Sequence, residues 1–184
     1  VALEAQFAQL IDLSRLEAGA LVAERSRVAL APLLSSLVTE FRPQAELKGI
    51  RLVAVPTRLA VDTDPALFAR ILRNLVANAV LYTRSGGVVI GARRRGDHVV
   101  VEVVDTGTGI APEHRARIFE EFFQVRGAGT TSPNGRGMGL GLAIVRRLAR
   151  LLGNEVKLAS RPGCGSRFGV IVPRVTGVRP ALRR

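Results

Sequence analysis

Residues 65–82 read PALFARILRNLVANAVLY, and this stretch decides how the rest of the chain is interpreted. Its apolar residues recur at three- and four-residue steps, which is the period of a helix with one wide buried face. Asp62 and Asp64 stand just before it as possible N-caps. The residues of the predicted buried face are Leu67, Phe68, Ile71, Leu72, Leu75, Val76 and Ala79.

The segments before this helix predict a mixture of helices and short strands. A helix at 1–18 has apolar residues on more than one side, which fits packing on a partner helix or on the chain's own domain equally well. Further on we expect a strand at 26–30, then a helix that has Pro32 in its first turn, runs to about Lys48 and is ended by Gly49, and short strands at 50–55 and 59–61.

The segments after this helix predict a hairpin and a final helix followed by two strands. The hairpin joins 88–95 to 99–104, and a short helix at 112–119 precedes a glycine-rich loop at 124–137. We then expect a helix at 138–152, strands at 155–159 and 167–172, and a loose tail from Pro173. This order favours an α+β sandwich with a largely antiparallel sheet over a doubly wound parallel sheet.

Composition excludes several classes of protein. The 184 residues are 47% hydrophobic, which suits one domain with a real core, and the single cysteine, Cys164, excludes an internal disulfide. No stretch approaches the ~20 apolar residues of a membrane-spanning helix. The formal charge of +12 fits either a surface for a polyanion or arginines spread over solvated faces. No interleaved aromatic residues suggest base stacking with nucleic acid.

Three polar or glycine-rich segments are candidates for chemistry. Asn74 and Asn78 share a helix face, where their amide oxygens could ligate Mg²⁺ or simply edge the apolar stripe. Asp105 follows a strand and begins the turn DTGTGI, where a carboxylate could accept a hydrogen bond from an adenine amino group. Residues 135–142 read GRGMGLGL and lead into a helix, whose N-terminal amides can bind anions.

Taken in order, these segments resemble the catalytic domain of bacterial sensor histidine kinases, which belongs to the ATPase superfamily of gyrase, Hsp90 and MutL. The N box of that family corresponds to 74–79, the first glycine box to 105–110, the F box to 119–123, the second glycine box to 137–141, and the final glycine-serine motif to 163–166. Residues 10–19 (LIDLSRLEAG) also resemble the end of the second dimerisation helix in such kinases.

The resemblance covers roughly residues 7–173 and implies a fold and a domain order. The fold is a Bergerat-type ATP-binding fold, a two-layer α/β sandwich with a mixed, largely antiparallel sheet, preceded by a partial dimerisation helix. The implied order is the end of a dimerisation hairpin at 1–19, the catalytic domain at 20–173 and a loose tail at 174–184.

The resemblance also implies a role for each matched residue. Asn78 would ligate Mg²⁺ with support from Asn74, Asp105 would recognise the adenine amino group, and Tyr82 would lie against the ring. Residues 124–137 would form a lid over ATP, and the phenylalanines at its base would contact the helical domain. The implied nucleotide-binding residues are Asn74, Asn78, Tyr82, Asp105, Gly107, Gly109, Ile110, Phe119, Gly137, Met138, Gly139, Leu140, Gly141 and Ser166.

The resemblance further implies ATP-dependent phosphorylation of a histidine on an upstream helix, within a homodimer that passes the phosphate to a response-regulator receiver domain. It implies a cytoplasmic domain of a sensor that is either cytosolic or anchored in the bacterial inner membrane, and no nucleic-acid partner. The two histidines here, His98 and His114, do not stand in the acceptor motif of such kinases. We therefore expect the acceptor helix to precede residue 1, and this chain alone not to phosphorylate itself.

Two departures from the family pattern separate the alternatives. Clamp-type ATPases have Glu four residues before the first asparagine, where this chain has Arg70, which favours phosphotransfer over hydrolysis. Histidine kinases have Lys three residues after the metal-binding asparagine, where this chain has Leu81, and that favours a degenerate ATP-sensing module. A serine kinase of the anti-sigma-factor type is a third alternative, which the helix at 1–18 disfavours.

Overall fold

The computed structural model describes residues 22–125 and 139–175 of the chain. The predicted helix at 1–18, the dimerisation segment 1–19 and most of the predicted lid lie outside the described residues. No helix in the described ranges is long and apolar enough to cross a membrane.

Within this part, helices and strands alternate irregularly, and two short 3₁₀ turns at Pro112–His114 and Arg117–Phe119 lie between the fifth strand and the last helix. The elements are β1 (Ser26–Ala29), α1 (Leu30–Leu47), β2 (Arg51–Ala54), β3 (Ala60–Thr63), α2 (Pro65–Tyr82), β4 (Gly87–Arg95), β5 (His98–Asp105), α3 (Gly141–Leu151), β6 (Glu155–Arg161) and β7 (Gly165–Pro173).

The main sheet of the described part has five strands in the order β2-β4-β5-β7-β6. All neighbours are antiparallel except β2 and β4, which run parallel because the chain crosses over through α2 between them. Strands β1 and β3 form a separate antiparallel pair. This arrangement confirms the predicted α+β class with its mixed, largely antiparallel sheet.

The helices cover one face of the sheet. On β5, Val99, Val101 and Val103 are buried in the core, whereas Glu102 faces the other side and pairs with Arg93 of β4. Successive residues of a strand point to opposite faces of the sheet, so residues paired directly across β5, β7 and β6 have their side chains on the same face. This pairing determines which polar side chains meet at the site.

Helix α2 is the centre of the core, as the sequence predicts. All the residues of its predicted buried face are buried, and the Asp64 side chain caps the helix by accepting from the backbone N–H of Leu67 at 2.9 Å. Asp62 is not a cap, since it lies within β3. At the other end, the Lys48 ammonium donates to the carbonyls of Val80 and Leu81 at 2.6 and 2.7 Å.

Several predicted boundaries are wrong. Helix α1 begins at Leu30, which the sequence predicts to belong to the preceding strand, and that strand ends at Ala29. Pro32 lies in the first turn of the helix, as predicted. The predicted helix at 112–119 is two 3₁₀ turns. Strands β6 and β7 extend closer to their connecting turn than predicted.

The predicted tail at 174–184 also begins differently. The Arg174 backbone N–H donates to the Asp97 carbonyl at 3.0 Å, and Arg174 forms a β-bridge with Val61. Arg174 is therefore held by the domain, and residues 176–184 lie outside the described part.

Candidate functional site

A cavity that is open to solvent lies between the core face of the sheet and helix α2. Asn78 and Asp105, which the sequence places in one site, both line it. The other lining residues are Ala79, Tyr82, Thr108, Gly109, Ile110, Ala111, Ile118, Phe123, Gln124, Val125, Leu142, Ser166 and Phe168.

Asp105 is the one carboxylate among the described residues that line this cavity, and its side chain is nearly buried. Its Oδ1 accepts hydrogen bonds from the backbone N–H groups of Gly107 at 2.8 Å and Ser166 at 3.2 Å. Because both bonds end on Oδ1, the second oxygen takes no hydrogen bond from the described residues and can accept one from a ligand. Burial raises the pKa of this carboxyl above its ordinary value, and the two backbone hydrogen bonds offset part of that rise.

The turn after Asp105 passes between the end of α2 and the end of β6. The Thr108 N–H donates to the Tyr82 carbonyl at 3.3 Å. A Cβ on Gly107 would lie 2.6 Å from the Tyr82 carbonyl oxygen, and one on Gly109 would lie 2.0 Å from that of Arg161. The glycines are needed here because the turn is wedged against protein backbone. Gly109 and Ile110 line the cavity, whereas Gly107 stands behind its wall.

Tyr82 ends helix α2 and lines the cavity with its ring partly exposed. Burial raises the pKa of its hydroxyl, so the side chain is a neutral, flat surface at neutral pH. Ile110, Ile118 and Phe168 line the same cavity and are apolar. An aromatic ring, apolar side chains and a nearly buried carboxylate around one cavity suit a flat heterocycle that carries an amino group.

A second cavity adjoins the first and runs towards the N-terminus of helix α3. Asn78, Tyr82, Ile118, Phe123 and Leu142 line both cavities. The residues that line only the second are Asn74, Ala77, Leu81, Gly139, Leu140 and Gly141.

The two asparagines face the start of helix α3. Asn74 donates its Nδ2 hydrogen to the Arg70 carbonyl at 2.9 Å, which fixes the amide and leaves its Oδ1 to accept. A Cβ on Gly141 would lie 3.2 Å from Asn74 Oδ1 and 3.8 Å from both amide atoms of Asn78. The glycine thus lets the start of helix α3 lie close to both amides, and all three residues line the second cavity, where amide oxygens and helix N–H groups are chemically suited to a metal-bound phosphate group.

The predicted helix at 138–152 starts only at Gly141, because Gly139 has a φ of +73° that a right-handed helix excludes. A Cβ on Gly139 would lie 2.9 Å from the Phe123 carbonyl oxygen, so this glycine lets the loop before α3 lie against the F box. Leu140 is buried beneath it. Gly137 and Met138, two predicted phosphate-binding residues, lie outside the described residues.

Phe119 occupies a different place from the one predicted. Its ring packs edge-on against Phe168 with 6.4 Å between centroids, which puts it behind the wall of the first cavity. Ile118 and Phe123 line the cavity instead. The reason is the pair of 3₁₀ turns, which rotates this segment relative to the single helix the sequence predicts.

Sequence analysis missed Ser160 and Arg115, which support the site without lining it. Ser160 Oγ accepts from the Ile110 N–H at 2.8 Å, and the Arg115 guanidinium donates to the Ser160 carbonyl at 2.5 Å. Ser160 stands directly opposite Ser166 in the β6–β7 pairing. The only sequence signal for it is its distance from the turn at 162–164, which sets the register of that hairpin.

Comparison with known proteins shows the family to which the chain belongs. The family model described as "Histidine kinase-, DNA gyrase B-, and HSP90-like ATPase" matches residues 63–176. The chain therefore belongs to this family of ATPases, and within it to the histidine kinase type of ATP-binding catalytic domain, because its relatives are sensor kinases.

Two curated relatives illustrate that likeness. The chain is 37% identical over 168 residues to the sensor-like histidine kinase SenX3 of Mycobacterium tuberculosis, which covers 90% of this chain and 40% of SenX3. It is 31% identical over 167 residues to the sensor histidine kinase RcsC of Escherichia coli, covering 89% of this chain and 17% of RcsC. The chain thus spans less than half the length of these relatives.

Solved structures share the fold. Full-length ShkA, crystallised in complex with AMPPNP, superposes with a TM-score of 0.83 at 33% identity, over 97% of this chain and 37% of ShkA. The catalytic domain of the histidine kinase ThkA superposes with a TM-score of 0.69 at 26% identity, over 82% of this chain and 96% of that domain.

Proposed function

We propose that this chain transfers the γ-phosphate of ATP to a histidine presented by a separate helix. The main support for this proposal is that Asn78 and Asp105 line one cavity. Asn78 also lines the second cavity, which leads to the start of helix α3. A nucleotide can therefore lie with its base at Asp105 and its phosphates in the second cavity, beside the asparagines and the start of helix α3. Phosphoryl transfer requires mainly such positioning, together with stabilisation of charge.

The histidines within the described residues are poorly placed to accept the phosphate. His98 is the first residue of β5 and Asp105 is the last. The length of the strand therefore separates His98 from the site. His114 packs against Phe123, with the two rings tilted by 53° and 5.8 Å between their centroids. An imidazole delivered by a mobile partner helix needs no activating base, because neutral histidine is already a competent nucleophile.

We propose that this partner helix docks near Phe122. This residue is 61% exposed and has a φ of +61°, a strained conformation for a bulky side chain. Exposed apolar side chains held in strain beside a site suit recognition of an apolar partner surface. In the longer protein we propose that the helix belongs to a homodimer of a cytoplasmic sensor region, anchored in the bacterial inner membrane, that passes the phosphate to a receiver domain.

The test of this function is phosphate capture. A form of the protein extended upstream to include the acceptor helix is expected to acquire acid-labile, base-stable phosphate from ATP labelled at the γ position. The 184-residue chain alone should acquire none. A His114→Gln variant of the extended form should label like its parent, and loss of label in that variant would move the acceptor to His114. No label in the extended form would contradict the proposal.

We propose that Mg²⁺ accompanies ATP, held by Asn78 Oδ1 with support from Asn74. The donor set fits, because amide oxygens are hard ligands and Mg²⁺ completes its shell with water and phosphate oxygens. When bound, the ion neutralises charge on the β- and γ-phosphates. Helix α2 holds the two amides on one face, one turn apart, which fixes their orientation before any ligand arrives.

Replacing Asn78 with alanine is expected to remove the part of ATP affinity that depends on Mg²⁺, about tenfold, because the metal loses a protein ligand. Calorimetry with Mg²⁺ and with a chelator measures that part directly. In the presence of the chelator the variant should bind ATP as its parent does, which serves as the control for folding. A variant that keeps the parental gain from Mg²⁺ would exclude Asn78 as the ligand.

A further inference from the structure

Three polar side chains form a row across neighbouring strands at the inner end of the first cavity. Asp105 of β5 stands opposite Ser166 of β7, and Ser166 stands opposite Ser160 of β6. Residues directly opposite one another in antiparallel strands have side chains on the same face, about 4.5–5.5 Å apart at Cβ. Asp105 and Ser166 line the cavity, while Ser160 is one strand removed from it.

The Ser160 hydroxyl has three polar neighbours. It accepts from the Ile110 N–H at 2.8 Å, lies 3.0 Å from the Gly165 carbonyl oxygen, and lies 2.9 Å from Ser166 Oγ. A serine hydroxyl has one hydrogen to donate and two lone pairs to accept with. The carbonyl of Gly165 can only accept, so the Ser160 hydrogen goes there. Its remaining lone pair then accepts the hydrogen of Ser166.

This assignment is the one in which all three close approaches are hydrogen bonds. In this assignment the Ser166 hydroxyl donates its hydrogen to Ser160 Oγ. The lone pairs of Ser166 Oγ then face the cavity. The polar end of the cavity then offers acceptors: Oδ2 of Asp105 and Oγ of Ser166. Arg115 fixes the arrangement from behind, since it donates to the carbonyls of Ser160 at 2.5 Å and Ile110 at 3.4 Å.

We propose that Ser160 is a specificity-determining residue that selects adenine over guanine by holding the Ser166 hydroxyl as an acceptor. Adenine presents an exocyclic amino group, which is a donor, where guanine presents a carbonyl oxygen, which is an acceptor. Two acceptors that face the six position of the purine therefore suit the N6 amino group of adenine and oppose the O6 carbonyl of guanine. Ser160 acts through Ser166 and is a positioning residue, and the inference rests on the proposed binding of ATP in this cavity.

The experiment measures the ratio of ATP to GTP affinity by calorimetry at fixed Mg²⁺. In Ser160→Ala the Ser166 hydrogen is released and can turn to the guanine carbonyl, so the ratio is expected to fall about tenfold, with GTP binding gaining relative to ATP. Ser160→Thr keeps a hydroxyl and should keep the parental ratio. The double variant Ser160→Ala/Ser166→Ala has no hydroxyl left to donate, so most of the preference for ATP should return.

A purely structural role predicts a different result, because a disturbed pocket would weaken both nucleotides alike and leave the ratio unchanged in every variant. That outcome would overturn the proposal, as would a double variant with the same ratio as Ser160→Ala. Should Ser160→Ala fail to fold, Ser160→Cys fills the same space with a weaker acceptor and is expected to lower the ratio in the same direction. A parental protein that binds neither nucleotide would instead contradict the proposed function.

Discussion

Replacing Asp105 with asparagine is expected to weaken ATP binding about 100-fold or more while leaving the fold intact. Only an oxygen can accept the backbone N–H groups of Gly107 and Ser166, so the asparagine must place its Oδ1 where Asp105 has its own. Its NH₂ group then points into the cavity. A donor faces the adenine amino group, which is also a donor, and neither finds a partner.

The stability of the variant separates this effect from misfolding. Burial raises the pKa of Asp105, which means that the charged form is disfavoured in the folded protein. A neutral amide removes that cost and keeps both backbone hydrogen bonds, so the melting temperature is expected to stay level or rise. A variant that melts well below its parent, or that binds ATP at parental affinity, would show that the carboxylate has another role.

The same carboxyl predicts a dependence on pH. Because its folded pKa lies above the ordinary value of 3.8, the nucleotide-free protein should gain stability as the pH falls from the raised pKa towards that value. ATP affinity should decline over the same interval, since protonation removes an acceptor. Asp105→Asn should show neither change. Calorimetric measurements of stability and of ATP affinity over this pH range, compared between the two proteins, isolate the contribution of the Asp105 carboxyl.

Helix α2 and the β4–β5 hairpin could be predicted from the sequence because their signals are local. The apolar stripe of α2 repeats over eighteen residues, and its cap at Asp64 precedes it directly. The hairpin has its turn signal between two strands of β-branched residues. The juxtaposition of Asn78 and Asp105 could be anticipated only from the resemblance of the whole set of motifs, since no single motif specifies a distance between them.

What escaped prediction depends on contacts between distant segments. Nothing local in 26–29 indicates that it pairs with 60–63, or that β2 lies parallel to β4. Ser160 has no motif of its own, and its role follows from the register of β6 on β7 and from a hydrogen bond to Ile110, fifty residues away. The site thus depends on a row across three strands that only the folded sheet defines.

Leu81 stands where histidine kinases have a lysine, and the structure shows its surroundings. It lines the second cavity, at the end where the phosphates are proposed to lie, and offers no charge there. The ammonium of Lys48 is close in the chain's fold but is committed to the carbonyls of Val80 and Leu81, where it stabilises the end of α2. Lys48 therefore stabilises the C-terminal end of α2, next to Tyr82, through hydrogen bonds to backbone carbonyls.

Replacing Gly165 with alanine is expected to destabilise the fold by about 4 kcal/mol and to abolish ATP binding. This glycine has a φ of +95°, and a Cβ there would lie 1.9 Å from the Asp105 carbonyl oxygen. The added atom would force β7 away from β5 at the row that holds Asp105, Ser166 and Ser160. The hydrogen bond from the Ser166 N–H to Asp105 would be lost together with the packing.

Gly163 provides the matched control, because it lies in the same turn with a φ of +74° and a Cβ there would meet nothing within 4 Å. Gly163→Ala should cost only the strain of its backbone, roughly 1 kcal/mol, and should keep ATP affinity. At about 2–4 °C per kcal/mol for a domain of this size, thermal unfolding should separate the two variants by roughly 10 °C. Equal melting temperatures would mean that β5 and β7 do not approach as closely as described, and the acceptor row would lose its structural basis, since the same approach brings Ser166 to Asp105.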